Sequence, residues 1–180
     1  MSKHNKKRAV FLDRDGVINH VVYHPCVEKP SSPWRLEEFR FIEGISPPLN
    51  EMKKRGFLLF IFSNQPDIAR GNIKPGTIED INKIIMETLP IDDIAICPHD
   101  YYHNCTCRKP KPGLIIDLAK KWDVDVQQSF VIGDSSKDIQ AGNTAGCTSI
   151  LIETSYNSDV ETEYKAKDLM STLAIIEKRE

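Results

Sequence analysis

The chain has 180 residues, of which 40% are hydrophobic and 28% are charged, and its formal net charge is -2 at pH 7. This length and apolar content predict a single domain, 1–180, with a sizeable core. The balanced charge gives no basis for a nucleic-acid partner, and the lack of a signal-peptide pattern or a long apolar run predicts a cytoplasmic protein without a membrane partner.

The first informative segment lies near the start of the chain. Residues 1–7 are polar and basic and predict a flexible tail. The apolar run Ala9–Leu12 then predicts a buried strand, which ends at Asp13 and Asp15. One carboxylate of such a pair can attack phosphorus while the other passes a proton to the leaving oxygen. The pair therefore indicates phosphoryl transfer, although Asp-X-Asp also occurs in solvated turns and calcium loops.

Strand and helix patterns alternate along the rest of the chain. The predicted strands are Ala9–Leu12, Phe57–Phe62, Ile94–Cys97, Phe130–Ile132 and Thr148–Ile152. The predicted helices run from a cap at Ser46 to Gly56, from a capping box at Thr77 to about Glu87, over Gly113–Lys121, over Ser136–Thr144 and roughly over Ala166–Lys178. This alternation predicts an α/β fold, a doubly wound, mostly parallel Rossmann-like sheet with helices on both faces.

Polar clusters follow four of the predicted strands. They are Asp13 with Asp15, Ser63 with Asn64 and Gln65, Arg108 with Lys109, and Gly133 with Asp134. Open α/β sheets bind ligands beyond the carboxyl ends of their strands. We therefore expect the four clusters to meet in one site.

Each cluster offers a group that hydrolysis of a phosphate monoester needs. Asp13 and Asp134 supply hard oxygens that suit magnesium. Lys109 can screen the phosphoryl group, and Ser63 can hydrogen-bond its oxygens. Asp138 either orients a ligand or water behind the metal or favours a helix N-terminus, and the sequence leaves both roles open.

A second kind of metal site is indicated by four residues within a short loop, 97–107. They are Cys97, His99, Cys105 and Cys107. This spacing is typical of a closed, structural zinc site, with a disulfide or free thiols as the alternatives. His103 is an alternative to His99 as the nitrogen ligand, and the remaining cysteines, Cys26 and Cys147, are interpreted as ordinary thiols.

The motifs resemble, in order and spacing, those of the haloacid dehalogenase superfamily of phosphatases. The matching segments are Asp13-Arg-Asp15-Gly-Val, Ser63-Asn-Gln, Lys109 and Gly133-Asp134-Ser-Ser-Lys-Asp138. The cysteine loop and residues 65–71 resemble the zinc-containing branch without a large cap domain. That branch includes D-glycero-D-manno-heptose 1,7-bisphosphate 7-phosphatases and histidinol-phosphatases.

The resemblance implies a magnesium-dependent phosphatase that works through an aspartyl phosphate. Asp13 would be the nucleophile, and Asp15 the general acid and base. Magnesium would be held by the carboxylates of Asp13 and Asp134 and by the backbone carbonyl of Asp15. Zinc would be structural and would fix the loop that delivers Arg108 and Lys109.

The resemblance also implies a small phosphorylated sugar as substrate. Heptose 1,7-bisphosphate is favoured, and histidinol phosphate or another small sugar phosphate is the alternative. The residues expected to contact substrate are Asn19, His20, Val21, Val22, Asn64, Gln65 and Arg108. Pro66, Asp67 and the long segment 20–38, interpreted as a substrate-specificity loop, depart from the family pattern.

Two further expectations concern assembly and turnover. A chain of this size without a cap domain is expected to be a monomer. A zinc-stabilised binding module is the non-enzyme alternative, and it predicts that the nucleophile, the lysine or a metal-binding acid is missing. All of these residues are present in the sequence.

Overall fold

The structure is a computed structural model that describes residues 6–74 and 76–179. Within these residues the chain forms six strands and five α-helices. The strands are β1 (Ala9–Leu12), β2 (Leu58–Asn64), β3 (Asp93–Cys97), β4 (Phe130–Gly133), β5 (Thr148–Ile152) and β6 (Tyr164–Ala166). The helices are α1 (Ser46–Lys54), α2 (Thr77–Thr88), α3 (Gly113–Trp122), α4 (Ser136–Ala145) and α5 (Leu169–Arg179).

The six strands form one parallel sheet in the order β3-β2-β1-β4-β5-β6. The central strand β1 pairs with β2 on one side and with β4 on the other, so that Phe11 lies opposite both Phe60 and Val131. The chain builds outwards from β1 to β3 and then returns across the sheet to β4. Ligands bind at such a switch point in open α/β sheets, beyond the carboxyl ends of β1, β2 and β4.

Apolar side chains cover both faces of the sheet. Val10 and Leu12 of β1 belong to a core cluster that also contains residues of α1, α2 and α5. Ala9 and Phe11 point to the opposite face and pack in a second cluster with residues of α3 and α4. Because β1 is buried on both faces, it consists entirely of apolar residues. The predicted doubly wound sheet with helices on both faces is confirmed.

The structure corrects the prediction at the C-terminal edge of the sheet. The pattern predicted one helix over about Ala166–Lys178, but Tyr164–Ala166 forms the edge strand β6, and α5 begins only at Leu169. β6 has three residues and pairs with β5 alone. A strand this short shows too few alternations of apolar and polar residues to be recognised from sequence.

Two predicted helix starts also shift. Ser46 is the first residue of α1 and Ile45 stands at the N-cap. Thr77 likewise lies inside α2, and the N-cap is Gly76, whose backbone is left-handed at φ 89°. The predicted side-chain caps at Ser46 and Thr77 are therefore wrong.

No cap domain covers the sheet within the described residues. The segment 20–38 instead folds back on itself beside the carboxyl ends of the strands. Its Val22 amide donates to the Ser31 carbonyl at 2.9 Å. Of the predicted tail, residues 1–5 lie outside the described part, while the Lys7 amide donates to the Asp123 carbonyl at 3.0 Å. None of the described helices has the length and apolar character needed to cross a bilayer.

Gly142 allows α4 to lie close to the sheet, and its replacement tests this packing. A Cβ at Gly142 would lie 2.3 Å from Ser149 Oγ and 2.8 Å from Val131 Cβ. We predict that Gly142→Ala lowers the free energy of unfolding by about 1–2 kcal/mol, because overpacking outweighs the gain in helix propensity. Urea denaturation measures the change. Thr144→Ala, at an exposed position of the same helix, is the control, and an unchanged Gly142→Ala midpoint would refute the close-packing argument.

Candidate active site

The polar clusters predicted from the sequence meet at one edge of the sheet, in a cleft of about 710 Å³. The predicted residues that line this cleft are Asp13, Asp15, Val21, Ser63, Asn64, Arg108, Lys109 and Asp134. They are brought together because β1, β2 and β4 are adjacent and parallel. The loop after β3 adds the two basic residues.

Lys109 lies at the centre of the buried charges. Its ammonium group contacts Asp13 at 2.8 Å and Asp138 at 2.6 Å, and it donates to the Phe62 carbonyl at 3.0 Å. Burial lowers the pKa of Lys109, but the charges of the two carboxylates raise it above its usual value. The side chain therefore remains a fixed cation beside Asp13.

Asn64 holds the backbone of Lys109 from both sides. Its side-chain carbonyl oxygen accepts from the Lys109 backbone amide at 3.0 Å, and its side-chain NH2 group donates to the Lys109 backbone carbonyl at 3.1 Å. The sequence assigned Asn64 to substrate binding. In the structure both polar atoms of its side chain bind the Lys109 backbone, and the contact with substrate stays a prediction.

Three buried carboxylates lie together at this point, and two of them contact the ammonium group. Oxygen atoms of Asp13, Asp134 and Asp138 lie within 4.8 Å of one another. Burial and the nearby Asp138 hold the pKa of Asp13 well above its usual value, and the same two causes raise the pKa of Asp134 to about 7. Buried acids in excess of their cations fit a divalent metal with oxygen ligands, such as magnesium.

Asp138 has other partners within this group. Besides Lys109, it accepts from the Ser135 amide at 3.0 Å and from the Ser135 hydroxyl at 2.5 Å, which completes the N-terminal cap of α4. Asp13 and Asp134 therefore remain as the carboxylates available to a cation. Of the two roles considered for Asp138 from the sequence, the structure shows the one at the N-terminus of α4, and the orientation of a ligand or water behind the metal stays a prediction.

The carboxylate of Asp15 accepts hydrogen bonds from several sides. The Arg14 guanidinium lies 3.1 Å from both of its oxygens. Asn19 donates to Asp15 at 2.9 Å, Ser32 at 2.9 Å and Gln65 at 2.8 Å. Burial raises the pKa of Asp15, but the Arg14 charge and these three hydrogen bonds bring it below its usual value.

Several residues predicted to bind substrate have other surroundings. Asn19 and Gln65 are fully buried, and their amides bind Asp15. His20 pairs with Glu43 at 3.0 Å on the exposed side, and neither His20 nor Val22 is among the described residues that line the cleft. Of the predicted residues after the Asp-Gly turn, only Val21 lines the cleft, and substrate binding by this segment stays a prediction.

The unusual residues after Gln65 form one wall of the cleft. Pro66 and Asp67 line it, and the Asp67 carboxylate accepts from Asn72 at 2.8 Å. Arg70 lies 3.5 Å from Asp67 and makes a bidentate contact with Asp100 at 2.6 and 2.9 Å. One guanidinium is thus shared between two carboxylates, and it pairs more closely with Asp100 than with Asp67.

The predicted zinc ligands converge at the loop after β3. One ligand atom from each of Cys97, His99, Cys105 and Cys107 lies within 4.8 Å of the others, and the sulfur–sulfur distances are 3.2–3.6 Å. These separations exceed the roughly 2.0 Å of a disulfide and approach the edge of a tetrahedral zinc–thiolate site. The donor set therefore fits zinc.

The nitrogen ligand favoured by the geometry is His99. Its Nδ1 lies 3.3 Å from Cys107 Sγ. The His103 ring instead accepts from the Asp100 amide at 3.1 Å. The His99 carbonyl also accepts from Arg108 at 3.0 Å, which connects the zinc loop to the cleft.

Sequence reasoning missed several residues at or beside the site. They include Lys29, Ser32, Lys137, Tyr156 and Asn157, all of which line the cleft. Lys29 and Ser32 belong to the segment 20–38, whose length was noted, and Lys137 lies inside a recognised motif. Tyr156 and Asn157 follow β5, where no sequence motif marked a functional role.

The chain is similar to a known hydrolase family and to named phosphatases. The HAD-hydrolase-like family model matches residues 106–174. A D-glycero-beta-D-manno-heptose-1,7-bisphosphate 7-phosphatase of Rhodopseudomonas palustris is 36% identical over 153 residues, which cover 78% of this chain and 81% of the relative. The Escherichia coli K12 protein of the same name is 32% identical over 179 residues, which cover 92% of this chain and 90% of the relative.

A solved structure matches nearly the whole chain. The D,D-heptose 1,7-bisphosphate phosphatase from B. bronchiseptica, crystallised with magnesium and phosphate, has a TM-score of 0.80 and 26% sequence identity. The match covers 96% of this chain and 99% of that one.

Replacing one cysteine of the cluster tests the zinc assignment. We predict that Cys105→Ser loses most of the bound zinc and lowers the melting temperature by several degrees, because a structural zinc ion contributes directly to folding. Elemental analysis and thermal denaturation measure the two effects. Cys26→Ser removes an exposed thiol outside the cluster and should change neither value, whereas wild-type zinc content in Cys105→Ser would exclude the assignment.

Proposed function

The chain belongs to the HAD-like hydrolases, in the family of the D-glycero-beta-D-manno-heptose-1,7-bisphosphate 7-phosphatases, and we propose that it removes the 7-phosphate of a heptose 1,7-bisphosphate. One observation carries the proposal. The same cleft contains Asp13 against the Lys109 ammonium, Asp15 beside them, and a rim of further cations. This arrangement suits an anionic substrate that is attacked by a carboxylate.

In the proposed first step, a carboxylate oxygen of Asp13 attacks phosphorus, and the bond from phosphorus to the sugar oxygen breaks. Asp15 gives its proton to the leaving oxygen. In the second step, Asp15 takes a proton from water, which attacks the aspartyl phosphate and releases inorganic phosphate. Asp13 is then regenerated, so the protein is unchanged after one cycle.

The surroundings of Asp15 suit both of its roles. Its four donors keep it ionised in the free protein, as a base must be. A bound phosphate would bring negative charge close to this carboxylate and raise its pKa, because like charges disfavour ionisation. Substrate binding thus favours uptake of the proton that the leaving oxygen needs.

The remaining groups neutralise and hold the phosphate. Magnesium, when bound by Asp13 and Asp134 and by the Asp15 carbonyl, supplies positive charge to the phosphoryl oxygens. Lys109 lies beside the nucleophile, where it screens the repulsion between the carboxylate and the phosphate. The Ser63 hydroxyl, which is held by Gln65 at 2.8 Å, is placed to hydrogen-bond a phosphoryl oxygen.

The choice of a bisphosphate rests on the cations at the rim. Lys29, Arg108 and Lys137 all line the cleft, and burial and the charge of Arg108 lower the pKa of Lys137. Clustered cations of this kind favour a second phosphate group. Histidinol phosphate carries a single phosphate and offers these cations no second anionic group to bind. The rim cations therefore support the heptose bisphosphate over that alternative.

Replacing the nucleophile tests the proposed reaction. We predict that Asp13→Asn lowers phosphate release by about a thousandfold or more, because the amide cannot attack phosphorus. Release is measured with magnesium on the β- and α-anomers of heptose 1,7-bisphosphate, on fructose 1,6-bisphosphate and on histidinol phosphate. The β-anomer should be hydrolysed fastest, in agreement with the names of the relatives.

The control for this assay is Asp117→Asn, an exposed carboxylate on α3, which should retain wild-type activity. Preference for histidinol phosphate would overturn the substrate and leave the phosphatase chemistry intact. If metal-replete wild-type protein hydrolysed none of these compounds, the zinc-stabilised binding module would replace the enzyme.

Removing one rim cation tests the second phosphate site. We predict that Lys137→Met raises the KM for the bisphosphate about tenfold, since a charged contact to phosphate is lost, and changes the KM for a sugar monophosphate little. Steady-state kinetics with both substrates measure the difference. Lys120→Met on the exposed side of α3 is the matched control, and an equal effect on both substrates would show that Lys137 does not contact the second phosphate.

A further inference from the structure

Two consecutive residues of the loop after β5 bind Asp134, one at its carboxylate and the other at its backbone carbonyl. The Tyr156 hydroxyl donates to Oδ2 of the Asp134 carboxylate. The Asn157 side chain donates to the Asp134 backbone carbonyl at 2.7 Å and to the Ile152 carbonyl at 3.0 Å. Asn157 is itself held by the Thr154 amide at 2.9 Å. The loop is thus anchored at the residue whose carboxylate faces the cleft.

The carboxylate oxygen that Tyr156 contacts is also enclosed by the backbone of the Asp-Gly turn. A Cβ at Gly16 would lie 2.0 Å from Asp134 Oδ2 and 2.8 Å from the Tyr156 hydroxyl oxygen. Gly16 adopts φ 92°, a conformation that favours glycine. The Asp134 carboxylate is therefore confined between a turn without a side chain and a phenol.

The two carboxylates available to a cation differ in how they are oriented. Asp13 contacts Lys109 at 2.8 Å and accepts from the Arg14 amide at 2.7 Å. In the part of the chain that the structure describes, Tyr156 is the one group that donates to the side chain of Asp134. Its hydrogen bond occupies Oδ2 and leaves Oδ1 available. Groups that orient a metal ligand in this way typically contribute 10–100-fold in metal affinity.

We propose that Tyr156 is a positioning residue that fixes the Asp134 carboxylate for magnesium, an inference that rests on the proposed function. The tyrosine contributes to the affinity for the cation and not to the chemical step. Tyr156 also lines the cleft and an adjoining cavity of about 280 Å³, so a direct contact with substrate is the competing role. The two roles make different predictions for metal affinity and for KM.

Manganese binding to magnesium-free, zinc-loaded protein distinguishes them. Titration calorimetry, with the manganese-induced rise in melting temperature as a second measurement, is carried out on wild-type protein, Tyr156→Phe, Asp134→Asn and Tyr164→Phe. Tyr156→Phe keeps the ring and removes only the hydroxyl. Tyr164→Phe is the matched control, because Tyr164 lies on the edge strand and its hydroxyl contacts the exposed Glu163.

We expect Tyr156→Phe to weaken manganese binding about tenfold or more, Asp134→Asn to abolish it, and Tyr164→Phe to leave it within about twofold. At saturating magnesium, Tyr156→Phe should regain most of the wild-type kcat with an unchanged KM. Wild-type manganese affinity in Tyr156→Phe would overturn the inference alone, and a raised KM at saturating magnesium would assign Tyr156 to substrate binding. Unchanged binding in Asp134→Asn would overturn the magnesium assignment and the inference with it.

Discussion

The contact of Lys109 with Asp13 and Asp138 is the interaction on which the rest of the site depends. Two buried carboxylates pair with one ammonium group and a third, Asp134, lies beside them, and burying charges is costly unless they are paired. The arrangement is stable without substrate only because each acid has a further partner. Asp138 caps α4, Asp134 accepts from Tyr156, and Asp13 accepts from the Arg14 amide at 2.7 Å. The excess of negative charge destabilises this cluster when no metal is bound. The same excess favours binding of a divalent cation.

The zinc loop explains how Lys109 reaches this position. The lysine follows the loop instead of ending a strand, so the sheet alone cannot place it. The Arg108 guanidinium donates to the His99 carbonyl, and Asn64 holds the backbone of Lys109. Gly113 closes the loop tightly, since a Cβ there would lie 2.4 Å from the Thr106 carbonyl oxygen. Zinc bound at this cluster would thus serve the proposed reaction by fixing the segment that carries Lys109.

The sequence predicted the structure best at positions where a single physical requirement determines the residue type. The apolar run before Asp13 predicted the central strand, because a strand buried on both faces has no polar position. The zinc cluster was predicted because its four ligands are close in sequence. By contrast, Asn64 and Gln65 were assigned to substrate, although their amides orient Lys109 and Asp15. An amide pattern does not specify which partner it binds, since that depends on chains brought together by the fold.

The segment 20–38 shows why substrate recognition and catalysis are difficult to separate in this protein. Its Ser32 hydroxyl donates to the carboxylate of Asp15, and its Lys29 lies at the rim of the cleft. The same loop therefore contributes a positive charge at the cleft and affects the ionisation of Asp15, the proposed general acid. His24 stacks on Trp34 with ring centroids 3.6 Å apart, which packs the base of the loop and limits its movement. A change of substrate made through this loop would also alter proton transfer, so specificity and rate are constrained by the same residues.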